Sequence, residues 1–234
     1  MSISRKRFIS ATAVGVSAAA FSSFDTVADA AVERASLHFH ILKPTEYDKS
    51  LMLQKLTVNN EHKQVFQAVS PILIAPGIAS IYIHMQNSMN AYQFSQGLGN
   101  LATLGVLIGP SIVFALKDEM WKKYSIGKMF GLASTNTYYQ ADSNLDLSAD
   151  PDNPDGVYQD WSAQAVLKRG GQFFVCHNAT TGVAYVIAQK VGTTGKAVLA
   201  DFEKSLLPGF QMVPAGVGAV QQAQENGWKL FPII

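Results

Sequence analysis

A single cysteine, Cys176, stands in 234 residues. One thiol excludes an internal disulfide, so packing and not cross-linking must hold the fold. Charge of either sign is also scarce. Charged residues make up 15% of the chain, with 18 Lys+Arg against 17 Asp+Glu. Such a balance leaves no electrostatic footprint for nucleic acid, and no nucleic-acid partner is expected. Long hydrophobic runs are missing too: the Ala/Val/Gly/Ser segment ending near Phe21 is too short for a membrane span. Paired carboxylates, a Ser/His/Asp order, zinc-type spacing and a Walker-type phosphate loop are all absent. No cofactor or metal is therefore expected, and any catalysis would rest on one thiol. Gly97-Leu98-Gly99-Asn100-Leu101-Ala102 matches the dinucleotide pattern G-x-G-x-x-A as text. It precedes a strand, whereas the mechanism needs it between a strand and the following helix.

What is present begins with an address. Ser4-Arg5-Lys6-Arg7-Phe8-Ile9 is a basic patch running into the weakly apolar segment, and Ala28-Asp29-Ala30 offers a small-x-small cleavage pattern. The patch resembles the twin-arginine export motif, with Lys6 where the second arginine stands in that motif. Residues 1–30 are therefore expected to be an export signal cut after Ala30, and the mature protein to be periplasmic or otherwise exported. Cleavage would remove three bases (Arg5, Lys6, Arg7) and two acids (Asp25, Asp29), which leaves the mature chain neutral.

Residues 31–62 read as an N-terminal arm. His38 and His40 share one face of an alternating stretch, but no third ligand stands at a useful spacing, so an ordinary exposed pair is expected. Leu51, Leu53, Leu56 and Val58 suggest a short helix.

From Lys63 to the C-terminus the pattern is α/β. Lys63–Ser70 reads as a first strand and Ile78–Phe94 as an amphipathic helix. The nearly unbroken apolar run Leu101–Ile108 suits a parallel strand covered on both faces. A second helix is expected from Pro110 to Tyr124, with Ile112, Val113, Leu116 and Met120 towards the sheet. Residues 125–156 form an Asp-rich insertion, read as a solvated loop because the calcium-loop glycine and terminal Glu are missing. A helix over Val157–Lys168 follows, with Asp155 as its cap. Phe173–Cys176 then reads as a strand, with Asn178, Thr180 or Thr181 capping the next helix. A helix at Ala197–Leu206, a strand at Phe210–Val213, a helix from Pro214 and a strand at Trp228–Ile233 complete the alternation. Five strands with connections too long for hairpins imply a three-layer α/β sandwich with a mainly parallel sheet.

Cys176 is placed by this reading where a strand hands over to a helix N-terminus. In open α/β sheets that edge binds ligands, and a helix N-terminus favours negative charge. A buried, inert cysteine fits the same position equally well.

Phe174-Val175-Cys176-His177-Asn178, Leu206-Leu207-Pro208-Gly209-Phe210, Val213-Pro214-Ala215-Gly216-Val217 and Gln224-Glu225-Asn226-Gly227-Trp228 together resemble the C-terminal half of DsrE/DsrF-like sulfur-relay proteins. The resemblance runs from about Gln164 to Phe231, and more weakly over Lys63–Tyr124. It implies a flavodoxin-like fold, assembly into a trimer or hexamer, and a persulfide carried on Cys176. His177 stands where many relatives have glycine, and an exported member departs from the cytoplasmic relay proteins of that family.

Two functions follow as expectations. In the first, Cys176 attacks a sulfane sulfur and passes it to a small molecule or a sulfur-accepting protein, in the manner of a sulfurtransferase-like carrier. His177 is the neighbouring proton acceptor, and Asn178, Thr180, Gly109, Pro214 and Gly216 line the substrate cleft. In the second, the protein is a non-catalytic periplasmic module that binds a small ligand or assembles oligomers, and its cysteine is structural. Metal storage through His38 and His40 ranks last.

Overall fold

The computed structural model describes residues 39–99 and 101–233. The expected export signal, its expected cleavage site and His38 lie outside the described residues. Among the described residues, no helix is long and apolar enough to cross a membrane.

The elements follow in chain order. Helix α1 (Lys49–Leu56) is capped by Asp48, whose carboxylate accepts from Leu51 N at 2.8 Å. Strand β1 (Lys63–Ala68) is followed by a small antiparallel ladder, β2 (Leu73–Ala75) and β3 (Ile78–Ala79), turned by Pro76-Gly77 with Gly77 at φ 81°. Helix α2 (Ser80–Asn90) continues as a π-helical segment, Ala91–Ser95. Strand β4 (Ala102–Leu107) leads into a 3-10 helix, Gly109–Ala115, then α3 (Asp118–Lys123) and α4 (Ile126–Phe130). The C-terminal part holds α5 (Ala163–Lys168), β5 (Gln172–Cys176), α6 (His177–Val191), α7 (Gly195–Lys204), β6 (Phe210–Val213), α8 (Gly216–Glu225) and β7 (Lys229–Ile233).

Five strands pair in parallel in the order β6-β5-β4-β1-β7, the three-layer sandwich that the alternation implies and a flavodoxin-like architecture, as the resemblance implies. That order fixes the layers. From β1 through β4 and β5 to β6 the chain steps one way, and right-handed crossovers place every intervening helix on one face. There Tyr82, Met85, Ile112, Ile187, Val198 and Phe202 bury Phe66, Leu107, Phe173 and Val175. Only the return from β6 to β7 crosses the opposite face, so α8 is the one crossover helix packed against Val65, Leu104, Val106 and Phe174. Helix α1 fills the remainder: Met52 and Leu56 join Ala219, Val220, Ala223 and Trp228 in this second core. The indole N–H of Trp228 donates to the Leu56 carbonyl (2.8 Å), and Gln211 Nε2 donates to the Asp48 carbonyl (2.8 Å).

Three sequence expectations are corrected. The helix expected over 110–124 is broken. Leu116 is extended and bridges Leu206, Lys117 N donates to the Ser205 carbonyl at 3.0 Å, and a new helix starts at Asp118. The helix expected from Val157 begins at Ala163, because Ser162 and not Asp155 is its cap, accepting from Ala165 N at 3.1 Å. The helix after β5 is capped by Cys176 itself and not by Asn178, Thr180 or Thr181.

Two acids and two asparagines of the insertion are spent on turns. Backbone N–H groups two residues ahead donate to Asn144, Asp146, Asp150 and Asn153. Asp160 goes further and accepts from the amides of Asp142, Ser143 and Ser162 at 2.9, 2.9 and 3.0 Å. Burial pushes its carboxyl up, but the bonds from Ser162 and Ser143 outweigh burial and hold it below the usual carboxylate range. A depressed folded value means that its contribution is complete above the ordinary carboxylate range and is lost as pH falls through the folded value. Asp160→Asn should therefore cost about 1–3 kcal/mol at neutral pH and much less in acid. Melting curves at about pH 7 and about pH 3 test this; an equal penalty at both would sink it.

Candidate functional site

Cys176 ends β5 at the carboxyl edge of the sheet. Its neighbour β6 pairs with it there, Cys176 opposite Val213. The chain leaves β5 towards one face, as α6, and leaves β6 towards the other, as α8. Adjacent strands that diverge in this way open the crevice in which α/β proteins bind ligands.

The sulfur occupies the cap position of the 15-residue α6, and Sγ accepts the Ala179 N–H at 3.3 Å. The start of α8 lies against it. A Cβ at Gly216 would sit 3.0 Å from Cys176 Cβ and 2.6 Å from Ile108 Cγ1, so only a glycine lets the second helix begin so close. The α6 N-terminus thus presents its partial positive end to the sulfur, and the start of α8 packs beside the same side chain. Cys176 is 4% exposed.

The other sequence candidates divide. Asn178 N donates to the Pro214 carbonyl at 3.4 Å, which ties the two helix starts together across the crevice. Cys176, Asn178, Pro214 and Gly216 are therefore one cluster. Thr180 is fully buried, and its hydroxyl donates to the Cys176 carbonyl at 2.9 Å; it fixes the cap and does not line a cleft. Gly109 is turned away. At φ 57° it lies against the end of β1, where a Cβ would meet the Val69 carbonyl at 2.7 Å. Ile108, which sequence reasoning missed, takes the place at the crevice that was assigned to Gly109.

His177 opens α6 and is 2% exposed. Its Nε2 pairs with Glu203 Oε1 at 3.0 Å, while Nδ1 is buried and has no hydrogen-bond partner among the described residues. A carboxylate at Nε2 makes that nitrogen the donor and leaves Nδ1 as the acceptor in the neutral ring. With Glu203, Phe210, Met212 and Tyr47 it borders a groove of about 600 Å³ between the arm and the β6 edge. Glu203 lies 26 residues away on α7, and no local spacing announces it.

Among the described residues, no group of three or more His, Cys, Asp or Glu side chains is placed to hold a metal ion. His40 pairs with Glu46 at 2.9 Å.

No family model matches this chain, and no curated protein matches it.

Proposed function

We propose that this protein handles sulfane sulfur through Cys176, as a persulfide carrier. The observation that carries the reading is the seat of Sγ: it caps α6 with the Ala179 N–H at 3.3 Å, in the crevice where β5 and β6 diverge. The step is a displacement. The Cys176 thiolate attacks a terminal sulfane sulfur of a polysulfide, the S–S bond to the remaining chain breaks, and a polysulfide shorter by one sulfur departs. Charge balances on both sides, and no external oxidant is needed. The Ala179 amide and the α8 start, which favour negative charge, support the persulfide anion formed. The resemblance to DsrE/DsrF-like proteins in the segments around Cys176, Pro208 and Pro214 points to the same chemistry. Periplasmic export by the twin-arginine-like leader, a homotrimer or homohexamer, and a sulfur-accepting partner protein belong to this reading.

The 4% exposure of Cys176 favours a second reading, in which the thiol is core and the groove beside His177 binds a small ligand or a neighbouring subunit. Intact mass after treatment with polysulfide separates the two. The first reading expects a gain of one or more sulfur atoms, reversed by reductant and lost in Cys176→Ala. An unchanged mass in folded protein would leave only the second.

A further inference from the structure

At the other end of β5, about 15 Å from the thiol by strand rise, a second site is built around Arg169. The guanidinium lies over the Tyr158 ring, 4.8 Å from its centre. Both Nη1 protons are taken by amide oxygens, Gln86 Oε1 at 2.5 Å and Asn90 Oδ1 at 2.6 Å, and Nη2 donates to Gln93 Oε1 at 3.1 Å. These amides are not free to flip. Gln86 Nε2 donates to the carbonyls of Val157 (3.1 Å) and Asp160 (2.7 Å), and Asn90 Nδ2 donates to that of Tyr158 (2.9 Å). The segment just after the Asp-rich insertion thus aims the amide oxygens of Gln86 and Asn90 at the cation, and the third, Gln93, comes from the π-helical segment, a rare form that recurs at functional sites.

Neutral amides hold a guanidinium in place without cancelling its charge. Among the described residues no carboxylate pairs with Arg169, and the Nε proton and the second Nη2 proton have no acceptor. Burial pushes the group down to about 10, which keeps it charged at neutral pH. It borders a cavity of about 340 Å³ whose other walls include Met89, Leu147 and Tyr158.

We propose that this cavity binds a small organic carboxylate, its oxygens on the two unused Arg169 donors and its apolar body against Met89, Leu147 and Tyr158. Two adjacent N–H groups of one planar fork match a carboxylate better than a point charge would. The volume suits a single-ring or branched acid. The inference is independent of the sulfur reading and concerns a different end of the sheet.

Calorimetric titration of the full chain with phenylacetate tests it, with phenethylamine and inorganic phosphate as comparison probes. Saturable binding of phenylacetate is expected, with none of the amine and weaker binding of phosphate. Arg169→Lys, which keeps the charge but loses the fork, should weaken phenylacetate binding about tenfold. Leu147→Glu places a carboxylate at the mouth; Leu147 is 46% exposed, so the variant should melt like the parent while losing the ligand. No saturable binding of phenylacetate up to about 10 mM, phosphate binding as tight as phenylacetate, or binding unchanged in Leu147→Glu would each overturn the proposal.

Discussion

Trp228→Ala is expected to lower the free energy of unfolding by about 3–5 kcal/mol. The indole is 2% exposed and sits in the thinner of the two cores, where one crossover helix and α1 together cover the sheet. Its removal opens a cavity among Met52, Leu56 and Val65 and also strips the Leu56 carbonyl of its donor. Both losses fall on the contact between α1 and the sheet. Urea unfolding should therefore show a lower midpoint together with a shallower slope, because an undocked α1 is surface already exposed before the transition. A penalty below about 1 kcal/mol would mean that α1 does not depend on this residue.

Gly127→Ala is the second large effect, and its sign is unusual. A glycine inside a helix ordinarily costs about 0.5–1 kcal/mol relative to alanine, so this substitution would be expected to stabilise. Here it cannot. A Cβ at Gly127 would stand 1.8 Å from the Ala133 carbonyl oxygen and 2.7 Å from its carbon, and both are backbone. The chain reverses through Gly131 at φ 67°, and Leu132 N returns to the Gly127 carbonyl at 2.7 Å. The overlying strand of chain is itself anchored. Ala133 N donates to the Tyr138 hydroxyl at 3.3 Å, and the Tyr138 ring packs edge-on to Phe114 with centres 5.0 Å apart. A loss on the order of 3 kcal/mol, or roughly 6–12 °C in Tm for a chain of this size, is expected from thermal unfolding. An unchanged or raised Tm would show that the loop yields at little cost.

The strands were legible where one local signal sufficed. Phe210–Val213 is legible because an apolar run bounded by Pro208-Gly209 and Pro214 leaves a buried parallel strand few alternatives, and the start of β1 at Lys63 because the polar break Asn59-Asn60-Glu61 precedes it. The convergence of Cys176 with Pro214 and Gly216 was legible for a topological reason: both follow parallel strands and must emerge at the same edge. The failures share a different cause. Leu116 leaves its helix for Leu206, a partner far along the chain that no window around residue 116 contains. Cys176 caps α6 although thiols are not among the usual cap side chains, and sequence reasoning passed to Asn178 and the threonines. Glu203 beside His177, and the Arg169 cluster drawn from α2, the π-helical segment and the end of α5, depend on contacts 26 to 83 residues apart. Periodicity reports which face is apolar; it does not report which polar groups meet across two elements.

The pairing of β1 with β7 bears on how the protein is made. Gln64 and Val65 lie beside Lys229 and Leu230, so the first strand of the sheet acquires one of its two neighbours from the last. Loop closure across nearly the whole domain must precede that contact, which places this chain among slow folders with non-local topology. During synthesis β1 keeps an unsatisfied row of N–H and C=O groups until the last strand has emerged, with Val65 and Phe66 on either face. A nascent chain in that state is a template for pairing with another of its kind. The sheet thus stays open to misassembly until β7 has emerged and taken its place beside β1.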